Sequence, residues 1–195
     1  NPTGNCFEPA AIETILDRFH GLVVLDEAYI DFAVGRSWVS RLGQHPNLVI
    51  LQTFSKAWGL AAQRIGMAYA TPELIQVLDR IKPPYNLSGP AQATALAALR
   101  NARATEEAAR LLMIQREALK DVLERTPGVE HVHPSEANFL LVRFTDAKQT
   151  FNELKVAGVI VRDRSALPGC AGCLRITVGT ETENARLVEI LRKLA

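Results

Sequence analysis

The sequence carries no excess of charge and no long apolar run, and each absence removes a class of function. Twenty-two Lys and Arg against 21 Asp and Glu leave a net charge of +1 over 195 residues. There is no basic stripe to grip nucleic acid or an anionic membrane surface. No apolar stretch reaches the length of a bilayer span, and nothing resembles a signal peptide. Neither a G-x-G-x-x-G nor a P-loop is present, which argues against a nucleotide-binding α/β domain of the common kinds. Cysteine is scarce and odd in number: Cys6, Cys170 and Cys173. The last two form a C-x-x-C, but no second ligand pair lies nearby and Cys173 opens an apolar strand, so no metal is expected. Reduced thiols in a cytoplasm suit this usage better. His20, His45, His131 and His133 share no metal-ligand spacing on one helix face.

What remains is ordinary globular composition, 48% hydrophobic and 22% charged, enough for one large domain or two small ones. Asn1-Pro2-Thr3-Gly4 reads as a turn. Pro9 suits a first helical turn, and Ile12, Ile15, Leu16 and Phe19 would share its apolar face. Leu22 to Leu25 reads as a buried strand ending in Asp26-Glu27-Ala28-Tyr29. Leu48 to Leu51 reads as a buried parallel strand leading to Thr53, Ser55 and Lys56. A third strand is expected over Ile65 to Ala70. Thr71 would cap a helix that turns Leu74, Ile75, Leu78 and Ile81 inward, and Pro83-Pro84 would end it. This alternation is α/β. Two helices follow, from Ser88 to about Leu99 and from about Thr105 to Arg125. The last portion alternates again. Strands are expected at 129–133, 138–144, 159–162 and 174–178, with a helix over 146–157 capped by Thr145 and stopped by Gly158. Thr180-Glu181-Thr182-Glu183 is a capping box for a final helix. The expected division is 1–84, bridging helices over 85–125, and a small α+β domain over 126–195.

Four polar groups fall at turns or at the ends of apolar strands: Asn1, the pair Asp26 and Tyr29, the trio Thr53, Ser55 and Lys56, and Arg64. Taken singly, each has an ordinary reading. Asp26 could be a loop carboxylate, Tyr29 could pack on Phe32, and Arg64 and Arg175 could be surface ion-pair residues. Arg162-Asp163-Arg164 could be a solvated charge run. As an ordered set they suit a pyridoxal phosphate site, with an amine for the aldehyde, an acid for the ring nitrogen, and hydroxyls and a guanidinium for the phosphate.

The order NPTG, VVLDEAYIDF, LQTFSKAWGLAAQRIG and CLRITVGT resembles fold-type I pyridoxal phosphate aminotransferases. Within them it is most similar to the histidinol-phosphate branch, which Lys82-Pro83-Pro84-Tyr85-Asn86 and Gly158-Val159-Ile160-Val161-Arg162-Asp163 also suggest. The resemblance spans essentially the whole chain. It implies an α/β fold, namely part of a large cofactor-binding domain with a mostly parallel sheet, plus a smaller α+β C-terminal domain. It implies that Lys56 carries the cofactor and moves the substrate α-proton, a role that calls for a site shielded from water. Asp26 would pair with the ring nitrogen, Tyr29 and Asn1 with the ring oxygen, and Thr53, Ser55 and Arg64 with the phosphate. Arg175 would take the anionic end of the substrate, and Arg162 would be a second contact for a substrate phosphate.

The implied reaction is amino transfer between histidinol phosphate and 2-oxoglutarate, in a cytoplasmic homodimer acting on small molecules. An aromatic aminotransferase, a threonine-phosphate decarboxylase, or a non-catalytic binding or dimerisation module are the alternatives. Gln63 stands where a more apolar residue is expected. Relatives carry further segments before the NPTG turn, so the chain is expected to be the C-terminal part of such an enzyme, inactive alone.

Overall fold

A computed structural model of the chain describes residues 1–194. It divides into two units, Cys6–Ala109 and a second that joins Asn1–Asn5 to the chain from Arg110 onward.

The unit Cys6–Ala109 contains α1 (Pro9–Arg18), β1 (Val23–Asp26), β2 (Leu48–Thr53), β3 (Gly66–Tyr69), α2 (Pro72–Ile81), α3 (Gly89–Arg100) and the start of α4 (Ala102–Leu123). Its sheet runs β1-β2-β3, with β1 parallel to β2 and β3 antiparallel to it. One face is covered by Ile12 and Leu16 of α1 and by Trp38, which meet Leu48 and Ile50 of β2. A second cluster joins Phe54 and Ile65 to Ala91 and Ala95 of α3. Ala91 and Ala95 are therefore close-packing residues, since a short side chain lets a helix approach its neighbour, whereas Ala93 and Ala97 of the same helix are exposed.

Three expectations are corrected in this unit. β1 begins one residue later than its apolar run and is covered on alternate residues only, so Val24 is 55% and Leu22 56% exposed. An edge strand packed on one face buries only every second side chain. In α1, Ile12 and Leu16 are buried, whereas Ile15 and Phe19 are exposed. In α2 none of the four apolar residues is buried, and Ile81 is 73% exposed. Periodicity places them on one face, but a face is buried only where something covers it. Thr71 does sit at the N-cap of α2, but its side chain makes no capping bond.

The second unit is built on an antiparallel sheet of order β4-β5-β7-β6, from β4 (Val129–Val132), β5 (Phe139–Phe144), β6 (Arg162–Asp163) and β7 (Cys173–Thr177). One face of this sheet carries Val132, Leu140, Val142, Leu174 and Ile176. These pack with Leu119 and Leu123 of α4, Leu154 of α5 (Ala147–Val156) and Leu187 and Leu191 of α6 (Glu181–Lys193). Each such buried aliphatic contributes about 1.5–3 kcal/mol of burial. The capping box is formed: the Thr180 hydroxyl accepts from the Glu183 N–H, and the Glu183 carboxylate accepts from the Thr180 N–H at 2.8 Å. The cap of α5 is Asp146 rather than Thr145, its Oδ1 accepting from the Gln149 N–H at 2.8 Å. The expected strand over 159–162 is only the two-residue β6.

Candidate active site

In a parallel pair both strands end at the same edge, and ligands gather outside those carboxyl ends. Asp26 is the last residue of β1 and Thr53 the last of β2. The antiparallel β3 starts opposite Thr53, at Gly66, so Arg64 arrives at that same edge. An open cavity of about 310 Å³ lies there, lined by Asp26, Thr53, Ser55, Lys56 and Arg64 together with Ala28, Leu51 and Gln52. Five of the residues singled out in the sequence thus meet around one space. Tyr29 belongs to the same group, because Lys56 Nζ lies 5.0 Å from the centre of its ring.

The strand ends are shaped by short local bonds. Asp26 Oδ1 accepts from the Ala28 N–H at 2.9 Å, an Asx turn that engages one of its two carboxyl oxygens. Thr53 Oγ1 donates to the Ile65 carbonyl at 3.2 Å and accepts from the Ser55 N–H at 3.1 Å. Its hydroxyl therefore builds the turn that presents Ser55 and Lys56. The turn closes through the Lys56 carbonyl, which accepts from the Gly59 N–H, and through the Phe54 carbonyl, which accepts from the Leu60 N–H. Beneath it Phe54 is buried, with its ring 5.2 Å from that of Trp58.

Arg64 has φ 56° and ψ 42°, in the left-handed region. There an L-residue costs roughly 1–2 kcal/mol, because Cβ crowds the following carbonyl. Its Nη1 donates to the Ala61 carbonyl at 2.9 Å. Glycine would fit this backbone without strain. Asp26, Lys56 and Arg64 are all exposed in this unit. The shielding expected around Lys56 is thus not supplied here, because the cavity opens directly to solvent.

Two acidic residues beside the site were not singled out in the sequence. Glu27 is buried behind Asp26. Burial raises the carboxyl of Asp31, two residues after Tyr29, above its ordinary value, against the opposing pull of its own backbone N–H and of the Trp58 side chain. An acidic residue in a loop gives no sequence signal of its burial, because solvated carboxylates are far commoner there.

Asn1, Arg162 and Arg175 belong to the other unit. Arg175 Nη1 donates to Asn1 Oδ1 at 3.0 Å, and its guanidinium carbon lies 4.9 Å from the centre of the Phe139 ring. Its Nε is buried and has no hydrogen-bond partner among the described residues. Arg162 of β6 is the direct antiparallel partner of Arg175 on β7. Like charges facing each other on one sheet surface repel, and an anion held between them would remove that repulsion. The carboxyl of Asp163 is held below the usual range by its bonds from Ser165 and by Arg164. A larger cavity of this unit, about 450 Å³ beside Val159, Gly179 and Glu183, has its charged groups already engaged: Glu183 in the capping box and Arg186 on the Ala157 carbonyl.

The donor set around the smaller cavity fits pyridoxal phosphate: a primary amine, a carboxylate with one oxygen outside its Asx turn, the Ser55 hydroxyl and a guanidinium, all on one lining. Comparison with known proteins gives the same direction. A histidinol-phosphate aminotransferase of Cytophaga hutchinsonii is 48% identical over 98% of this chain, which covers 55% of that protein. The crystal structure of histidinol-phosphate aminotransferase from Sinorhizobium meliloti with pyridoxal-5'-phosphate superposes with TM-score 0.87 at 27% identity, covering all of this chain and 56% of that one. L-threonine-O-3-phosphate decarboxylase from Porphyromonas gingivalis superposes with TM-score 0.85 at 25% identity, covering all of this chain and 61% of that one. The chain therefore spans about half the length of the curated relatives it matches. The family model for aminotransferases of class I and II matches residues 1–191, and the chain belongs to that family.

Proposed function

We propose that this chain carries the lysine-bearing part of a pyridoxal phosphate-dependent transaminase that exchanges the amino group of histidinol phosphate with 2-oxoglutarate. The observation that carries the reading is the single cavity at the carboxyl ends of β1 and β2, lined by an amine, a carboxylate, a hydroxyl and a guanidinium. Lys56 would hold the cofactor through Nζ, Asp26 would face the ring nitrogen through Oδ2, and Tyr29 and Asn1 would hydrogen-bond the ring oxygen. Thr53, Ser55 and Arg64 would hold the phosphate, Arg64 best with two parallel bonds. When bound, pyridoxal phosphate supplies an aldehyde and an electron-poor ring that spreads the charge left by loss of a proton.

The chain's own residues do the rest. Once the substrate amine has displaced it from the cofactor aldehyde, Lys56 Nζ would be free to take the substrate α-proton and to give it back at the former aldehyde carbon, two bonds away, a transfer that needs the amine within hydrogen-bond reach of both atoms. Asp26, anchored by the Ala28 N–H, holds its carboxyl group in a fixed orientation at the end of β1. Arg175, steadied by Asn1 and Phe139, offers its guanidinium to the carboxylate or phosphate of the substrate, with Arg162 beside it. The names of the similar proteins support histidinol phosphate as substrate. A cytoplasmic homodimer is part of this reading, as the family resemblance implies.

The experiment is borohydride reduction of the naturally made polypeptide with pyridoxal phosphate, peptide mapping, and a substrate panel. A reduced adduct on Lys56 together with amino transfer from histidinol phosphate supports the proposal, and sedimentation then checks the dimer. Absence of an adduct overturns it, and carbon dioxide release from threonine phosphate would assign the decarboxylase reaction instead.

A further inference from the structure

Glu27 follows Asp26, and strand alternation sends its side chain to the opposite face of the sheet. There it is 8% exposed and has no cationic partner among the described residues. Its carboxylate is instead held by three donors. Oε1 accepts from the Trp38 N–H at 2.7 Å, and Oε2 accepts from the Ser37 hydroxyl at 2.8 Å and from Gln52 Nε2 at 2.9 Å. The backbone of Glu27 is used as fully: its N–H donates to the Leu51 carbonyl at 2.8 Å and its carbonyl accepts from the Ile30 N–H at 3.0 Å. Burying a carboxylate is costly unless it is paired or hydrogen-bonded, and an apolar residue would fill this corner of the Trp38 cluster with no such demand. The residues it ties together explain its presence. They are the end of β1, which bears Asp26; Gln52, which precedes Thr53 on β2 and lines the cavity; and the segment 37–38.

We propose that Glu27 is a positioning residue for the cofactor, one that locks the β1 and β2 ends together so that Asp26, Tyr29 and the Thr53–Lys56 turn hold one geometry. This rests on the function proposed above and adds a residue to its machinery. The argument is stereochemical. Three donors converge on Glu27, and only a carboxylate offers acceptor oxygens on both sides. In Glu27→Gln one NH2 must face a donor, so either Gln52 turns over or the Trp38 N–H is left unpaired in the interior. Either change loosens the residues on both sides of Asp26.

The test compares Glu27→Gln and Glu27→Ala with Ser37→Ala, which loses one bond to the same carboxylate but lies outside the cavity lining. Each is measured for pyridoxal phosphate affinity by equilibrium dialysis, for the pH midpoint of the bound cofactor's visible absorbance, and for thermal stability without cofactor. Glu27→Gln is expected to bind the cofactor about tenfold or more weakly, the equivalent of one lost bond to a charged group, with a displaced pH midpoint. Ser37→Ala is expected to lose stability while keeping wild-type affinity and midpoint. If Glu27→Ala does not fold, Glu27→Gln decides alone. Wild-type affinity and midpoint in Glu27→Gln, whatever its stability, overturn the proposal and reduce Glu27 to a scaffold residue. That result leaves the proposed function standing, whereas a wild-type protein that takes up no cofactor removes both.

Discussion

The left-handed backbone at Arg64 sets stability against binding at a single residue, and the two can be separated by substitution. With φ 56° and ψ 42°, the residue bears roughly 1–2 kcal/mol of strain that Arg64→Ala retains and Arg64→Gly relieves. Glycine gives back about 0.5–1 kcal/mol through the greater freedom of its unfolded chain. Both variants lose the bond to the Ala61 carbonyl, so that loss cancels between them. Arg64→Gly should therefore be about 0.5–1 kcal/mol more stable than Arg64→Ala, a difference of roughly 1–4 °C in melting temperature for a chain of this size. Cofactor binding should not follow. Both lack the guanidinium, and one lost hydrogen bond to a phosphate, about 1.5–3 kcal/mol, weakens affinity roughly 10- to 150-fold. Thermal denaturation without cofactor and dialysis with it give the two readings. A glycine variant less stable than the alanine variant would refute the strain argument. Wild-type affinity in both would remove Arg64 from the phosphate site.

Four further outcomes are expected. Lys56→Ala should abolish amino transfer and borohydride labelling while leaving the far-ultraviolet circular dichroism unchanged, since the side chain is exposed and its one described contact is the Tyr29 ring; turnover at the wild-type rate would end its assignment. Burial raises the carboxyl of Asp31, so its contribution to stability is fully present below the unfolded value and is lost as pH rises through the folded one. Asp31→Asn, which mimics the protonated acid, should therefore melt higher than wild type at neutral pH, with the gap closing toward pH 4 in a pH series of melting curves. Thr180→Ala breaks the capping box of α6 and should cost about 1 kcal/mol, visible as a lower denaturation midpoint in urea. Arg175→Ala should raise the KM for both phosphate- and carboxylate-ended substrates, and an unchanged KM for both would take it out of the site.

What was legible in the sequence is what local chemistry decides. The capping box of α6 needs only Thr180 and Glu183, three residues apart, and it formed as read. The cavity was legible for a related reason. Parallel strands end on one edge, so the polar residues that close the apolar runs, Asp26 on one and Thr53 to Lys56 on the other, could be paired from the order of the residues alone. Burial was less legible. The same periodicity that put Ile12 and Leu16 in the core put Ile81 on an open face, because a hydrophobic stripe states which residues act together and not what covers them. Asp146 took the cap expected of Thr145, a shift of one residue between two good capping side chains.

The positioning of the site was the least legible part, and the reason is geometric. Glu27 looks like a loop acid next to a more interesting Asp26, and Ser37, Trp38 and Gln52 have no motif in common. They meet only because β1 lies parallel to β2 and the 37–38 segment folds back on the pair. The strain at Arg64 is equally silent, since no side chain announces a left-handed backbone unless it is glycine or asparagine. Groups that touch a ligand are constrained in type by the chemistry, so a sequence can show them. Groups that hold those residues in place are constrained only by where the chain puts them, and a carboxylate, an amide or a hydroxyl serves equally well if it arrives at the right distance. At this site Lys56 could be read from its neighbours in sequence, while Glu27 could be read only from its neighbours in space.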